Sequence, residues 1–153
     1  MRMMRVAAAM GALAVLAAPG VSAAQSGWTY QYIEGIAIAT QRNLDGDVTA
    51  TMTCRPPDGV LVITDHTFNR AARGVETAAV RVGALSINVP AESQGRGRRA
   101  RVTVDLPQSP PVLAGVRAED ELSVTVNGTT HTYGRGSGQQ MKDVAYACWT
   151  GGS

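Results

Sequence analysis

Cys54 and Cys148 are the only cysteines in this chain of 153 residues, and each closes a patterned stretch. Cys54 ends Val48-Thr-Ala-Thr-Met-Thr-Cys, a strict alternation with β-branched threonines on one side. That alternation predicts a half-buried strand with the Cys54 sulfur on its dry face. Cys148 ends a different pattern: Met141, Val144, Ala145 and Cys148 fall at i, i+3, i+4 and i+7, the apolar stripe of a short helix. Ahead of that stripe, Ser137 and Gln140 have the spacing of a capping box, in which each side chain satisfies a free N–H at the helix start. A bridge between the two sulfurs pins a terminal helix onto a β-rich body. On the loop-entropy model a closure of that length is worth roughly 4–5 kcal/mol. Two cysteines in an exported chain are most simply one disulfide; free thiols carrying chemistry are the alternative, for which no CxxC pair is present.

Export is read from residues 1–24. Arg2 and Arg5 precede an apolar run from Val6 to Ala18, Pro19-Gly20 breaks it, and Val21-Ser-Ala or Ser22-Ala-Ala offers small residues for cleavage. This is the layout of a secretory signal peptide, and the run is too short to span a bilayer comfortably. No cysteine follows it to accept a lipid, and nothing later resembles a membrane span. Once the leader is gone, the mature chain from Gln25 carries 12 basic and 12 acidic residues. Global charge therefore gives no argument for nucleic-acid binding. Abundant Ala and Arg with Lys142 as the sole lysine suggest, together with the leader, a bacterial periplasmic or secreted protein.

The body, residues 25–150, reads as one β-rich domain, with 151–153 as a frayed tail. Trp28, Tyr30, Tyr32, Ile36 and Ile38 share a parity, with Glu34-Gly35 as a bulge between them. Asn43 to Asp47 is a turn, so this run and the Cys54 strand form a hairpin. Val60–Thr64 is a short apolar strand, whereas Asp65 to Ala79 shows no firm period. Val80–Val82 and Leu85–Val89 alternate, the latter ended by Pro90. Val102–Leu106 is another strand, stopped by Pro107, Pro110 and Pro111, and Val112 to Asp120 holds one helical turn. Leu122–Val126, the hairpin signal Asn127-Gly128, and Thr129–Tyr133 follow. Short strands at regular spacing predict a single-domain antiparallel β-sandwich or open barrel with one C-terminal helix.

Few residues suggest chemistry. Arg96, Arg98, Arg99 and Arg101, spaced by Gly95 and Gly97, form a loop whose guanidinium forks suit phosphates or carboxylates; a solvated hairpin is the competing reading. No aromatics interleave, so base stacking is unsupported. Gly134-Arg-Gly-Ser-Gly138 matches neither GxxxxGK[ST] nor GxGxxG, and reads as the entry to the helix. His66 and His131 lack the close spacing of metal ligands. Asp65 beside His66, or Asp105, gives the weakest case, that of a hydrolase. No cofactor or metal is expected.

The layout of leader, early Trp28, a strand ending Met52-Thr-Cys54, and a Gly136-Ser137-led helix ending Ala147-Cys148 resembles the invasion-associated locus B family of small proteobacterial periplasmic proteins. That resemblance implies a disulfide-closed β-sandwich without enzymatic activity, acting in host interaction or envelope maintenance, and no catalytic residue carries over. The sequence thus points to an exported, non-enzymatic binding or envelope-interaction protein whose partner it leaves open, a protein or an anionic glycan or acidic surface, with the Arg96–Arg101 loop as the first candidate contact. The alternative is an inhibitor of a cell-wall or proteolytic hydrolase that inserts the Pro107–Pro111 loop.

Overall fold

The computed structural model describes residues 27–54, 59–107 and 113–150. The leader, the turn at 55–58, the proline cluster at 108–112 and the tail at 151–153 lie outside the described residues. Among these described residues nine antiparallel strands form one curled sheet, a half-barrel, with a C-terminal helix packed on its β1–β3 part. The strands are β1 (Gly27–Ile33), β2 (Ile36–Arg42), β3 (Val48–Cys54), β4 (Val60–Asp65), β5 (Thr77–Val82), β6 (Leu85–Gln94), β7 (Arg101–Pro107), β8 (Leu122–Val126) and β9 (Thr129–Thr132), and the helix is α1 (Ser137–Thr150). Their order across the sheet is β1-β2-β3-β4-β7-β6-β5-β8-β9.

The alternation read for the Cys54 strand holds. Ala50, Met52 and Cys54 are buried while Thr49, Thr51 and Thr53 are half-exposed. Parity at the start of the chain is different from the expectation. Glu34 and Gly35 are a two-residue hairpin turn, not a bulge, because both have positive φ, 50° and 79°, the backbone of a type I′ turn. The chain reverses there, so Trp28, Tyr30 and Tyr32 stand opposite Gln41, Ala39 and Ala37. Ile36 and Ile38 consequently face the other side.

Pro90 does not end its strand either. It sits inside β6, where the strand leaves β5 and takes up β7: Thr77 pairs with Pro90, and Ala91 pairs with Val104. A residue without an N–H is tolerated where one ladder hands over to the next. β6 thereby turns the corner of the curl. The stretch without period resolves into the end of β4, a 3-10 turn at Asn69–Ala72 and the start of β5. After the proline cluster, Val116 N donates to Leu113 O and Asp120 N to Arg117 O, giving two successive turns.

Inward residues of every strand except β1 and β9 converge on one core made of Val, Leu, Ile, Ala and Met, with Phe68 and Tyr133 its only strongly buried rings among the described residues. The helix covers the inner face of β1, β2 and β3. Met141, Val144, Ala145 and Cys148 are buried as the stripe predicted. A disulfide joins Cys54 to Cys148 across 94 residues, with the Cα atoms 5.7 Å apart.

The start of the helix is held differently from a capping box. Ser137 is already the first helical residue, and its hydroxyl accepts from Leu122 N at 2.8 Å and donates to Gly134 O at 2.7 Å. Gln140 does not reach back to it, and Gln140 Oε1 is buried without a partner among the described residues. The neighbouring Gly138 donates its N–H to Asp120 O at 2.9 Å. A Cβ at Gly138 would stand 2.6 Å from Arg117 O and 2.7 Å from Asp120 O, so only glycine lets the helix approach the turn before β8 this closely.

Because the bridge closes most of the described chain, replacing Cys54 and Cys148 together by Ser is expected to lower unfolding stability by about 2–5 kcal/mol. Urea titration of the variant beside the oxidised parent measures the loss, and an unchanged midpoint would show that the helix docks without the staple.

Candidate functional site

Two features adjoin through the backbone at 67–69. The first is a buried polar network. Leu61, Ile63 and Asp65 share the inward parity of β4, so the carboxylate of Asp65 enters the interior, where the residue is only 2% exposed. His131 and Tyr133 arrive from the opposite end of the sheet, in register with Val124 and Leu122 of β8. Tyr133 Oη donates to Asp65 Oδ2 at 2.6 Å, and His131 Nδ1 lies 3.0 Å from the same oxygen. The other oxygen, Oδ1, accepts from Thr67 N at 2.6 Å and Thr67 Oγ1 at 2.7 Å. Four donors surround one carboxylate, which is what burying its charge requires. Burial, then the Asp65 charge and hydrogen bond, push the Tyr133 hydroxyl far above the ordinary phenol range. That hydroxyl stays protonated and remains a donor. The His131 ring also stacks on Phe68, with centroids 3.9 Å apart and planes 9° from parallel.

The same tyrosine draws in the first hairpin. Its carbonyl accepts from Trp28 Nε1 at 3.0 Å and Gln41 Nε2 at 2.7 Å, and Gln41 Oε1 accepts from Thr49 Oγ1 at 2.9 Å. Side chains, not a strand ladder, therefore bridge from the β1 end of the curl to the β9 end. A polar cleft of about 450 Å³ opens beside this seam, lined among others by Arg42, Asn43, Thr130 and His131.

The second feature is a cleft of about 640 Å³ between the two 3-10 turns, Asn69–Ala72 and Gly97–Arg99. Asn69, Arg73, Ser93 and Arg96 line it, together with the backbone at Gly74, Gly95 and Gly97. Among the described residues, no carboxylate lines it and none pairs with Arg73 or Arg96. Gly95 is fixed by space as well as by its φ of 83°, since a Cβ there would lie 2.5 Å from Arg99 O. The two features share a backbone. Thr67 and Phe68 belong to the network, Asn69 Nδ2 donates to Thr67 O at 2.9 Å, and Arg73 O accepts from Asn127 Nδ2 at 3.1 Å.

The four arginines of the loop separate. Arg96 lines the cleft. Arg98 and Arg99 occupy the exposed 3-10 turn. Arg101 directs Nε and Nη2 at Gln94 Oε1, 3.1 and 2.9 Å away, across the base of the hairpin. Arg73, which the sequence reading passed over, takes the place opposite Arg96. The only signal for it was an Arg-Gly pair inside the aperiodic stretch.

The hydrolase set does not assemble as read. Asp65 meets His131, not its neighbour His66, and Asp105 lies on the exposed face opposite Val62. A signal for the true pairing was present: Asp65 continues the buried parity of Leu61 and Ile63. His66 N donates to Thr49 O at 2.9 Å, and His66 Nε2 is buried without a partner among the described residues. Among these residues no three His, Cys, Asp or Glu side chains gather as a metal site would, and no helix is long and apolar enough to cross a membrane. Comparisons with protein-family models, with curated proteins and with solved structures gave no match.

Replacing Asp65 by Ala strands the Tyr133 hydroxyl and the Thr67 N–H, and should cost about 2–4 kcal/mol, whereas Tyr133→Phe removes one of four donors and should cost about 1 kcal/mol. Chemical denaturation of both variants tests the ranking, and equal losses would contradict it. A second measurement concerns pH. Burial, then the Arg101 charge, hold the His66 imidazole below its ordinary value, against an opposing pull from Asp65. The unfolded chain therefore binds the proton more readily, so stability is full above about pH 6.5 and falls as pH drops below it. His66→Asn should flatten that acid limb.

Proposed function

We propose that this chain is an exported, periplasmic or secreted, binding protein that captures an anionic ligand in the cleft between Arg73 and Arg96. One observation carries the reading: two guanidinium groups from separate segments flank one concavity with no carboxylate among its described lining residues. Exposed arginines usually find a partner acid or spread over a surface, and a cleft left with uncompensated positive charge favours phosphate, sulfate or carboxylate groups. Asn69 and Ser93 add uncharged hydrogen-bonding groups beside them. No aromatic is among the described residues that line the cleft, so they offer a nucleobase no stacking surface. The reading narrows the four-arginine loop to one of its members plus a residue from another segment. Binding without catalysis fits the polar network too, since its carboxylate is fully engaged in joining strands. A role in the cell envelope, as in the locus B proteins the sequence resembles, is part of the same proposal; its supports are the leader pattern and the disulfide.

A heparin column run with increasing salt tests this. The double variant Arg73→Gln/Arg96→Gln is expected to elute well before the parent, while Arg98→Gln/Arg99→Gln, with the same loss of charge, moves little. Counterion release makes the parent's retention fall steeply with salt. Equal shifts for the two double variants would reduce the cleft to general surface charge and end the proposal.

A further inference from the structure

The chain has two Trp, four Tyr and one Phe, and it leaves most of them in solvent. Tyr30, Tyr32, Tyr146 and Trp149 are 40%, 38%, 61% and 42% exposed. All four lie on β1 and α1, which pack against one another. Tyr30 and Tyr32 stand opposite Ala39 and Ala37, hence on the sheet face that carries the helix, and they flank it. The proximity shows in the Tyr30 hydroxyl, which burial first and then the Asp143 charge raise above the ordinary phenol value. Tyr146 and Trp149, three residues apart, are neighbours on the outer side of α1. Beside them runs a groove of about 360 Å³, bounded by Leu113 and Ala114 on one wall and by Gln139, Lys142, Asp143, Tyr146 and Trp149 on the other.

The polar residues decide what such a face suits. Gln139 Nε2 donates to Asp143 Oδ1 at 2.6 Å, fixing an amide and a carboxylate side by side, and Lys142 stands next to them. One cation and one anion cancel, so the groove has no preference for a charged ligand, unlike the arginine cleft. It offers donors and acceptors together with flat apolar rings. A ligand matching that mixture has an apolar face and a rim of hydroxyls.

We propose that the β1–α1 face binds a neutral oligosaccharide. The C–H faces of the sugar rings lie on Trp149 and Tyr146, with Tyr30 and Tyr32 extending the track past the helix. Hydroxyls pair with Gln139, Lys142 and Asp143. Aromatic rings supply contact area at small cost in side-chain entropy, and a few placed polar groups set orientation. The site is independent of the arginine cleft and stands whether or not that cleft binds an anion.

Isothermal titration of the disulfide-bonded protein with soluble hexasaccharides of glucose, mannose and N-acetylglucosamine, paired with tryptophan fluorescence, tests it. At least one sugar is expected to bind weakly and to change the fluorescence, with little dependence on salt. Trp149→Ala and Tyr146→Ala should each weaken binding about tenfold or more, whereas Trp149→Phe, which keeps a ring, should retain most of it. Circular dichroism and melting curves establish that the variants fold. Absence of heat and fluorescence change with all three sugars overturns the proposal. So does concentration-dependent dimerisation that Trp149→Ala abolishes without any sugar effect, which would assign the face to a second copy of this chain.

Discussion

A charged carboxylate buried in the interior of a small β protein is tolerated only where every lone pair is met, and Asp65 is met by groups drawn from both halves of the sheet. Thr67 is local to it, while His131 and Tyr133 come from the far edge. Removing that carboxylate would leave the Tyr133 hydroxyl and the Thr67 amide short of acceptors, so the network favours one closure of the curl over others. A buried charged network of this kind is weak evidence for net stability, because desolvation offsets much of the attraction. Its effect is to choose a geometry. Tyr133 extends the choice through its carbonyl to Trp28 and Gln41, and the first and last strands are thereby set against each other without sharing a ladder.

The helix solves a different problem, that of covering the sheet. A curled sheet of nine strands leaves part of its concave face uncovered, and small residues on the inner side of β2, Ala37 and Ala39, make room there for a helix to lie close. Gly138 lets that helix start against the 117–120 turn, and Cys148 holds its end on β3. The two attachments act at opposite ends of one rigid element, so the helix is fixed in both position and direction. The disulfide works chiefly on the unfolded chain and the glycine on the folded one, and neither substitutes for the other.

Strands were legible where one face is dry, because burial imposes period two on Val48–Cys54, Val102–Leu106 and Leu122–Val126. The helix stripe and its bridge to Cys54 were legible for a related reason: a staple needs its sulfur on a buried face at both ends. Parity failed at Glu34-Gly35, since a two-residue turn and a bulge occupy the same length of sequence and only the backbone angles separate them. Pro90 misled because a missing N–H stops a strand inside one ladder but not where a strand changes partners. The Ser137–Gln140 spacing misled because a hydroxyl at a helix start also serves a strand packed beside it, and Leu122 N took it. Arg73 stayed hidden for a deeper reason. The 67–74 segment owes its shape to Asp65, His131 and Asn127, residues distant in sequence, and no local period records such ties.

The distribution of side chains that the core does not use follows from these constraints. The interior is filled by Val, Ile, Leu, Ala and Met, whose sizes suit the narrow space inside a tightly curled sheet, and it takes up little aromatic volume beyond Phe68 and Tyr133. Rings at Tyr30, Tyr32, Tyr146 and Trp149 therefore contribute little to the fold in return for their exposure; Tyr146 and Trp149 sit on the helix that the disulfide immobilises, Tyr30 and Tyr32 on the strand packed beside it. The arginines that line the cleft likewise sit on segments whose backbones are tied down elsewhere, Arg73 by way of Asn127 and Arg96 by the close turn at Gly95. Side chains held on fixed backbone lose less entropy when they meet a ligand. The frame thus displays rings on one face and, in a separate cleft, two arginines that no carboxylate among the described residues pairs with.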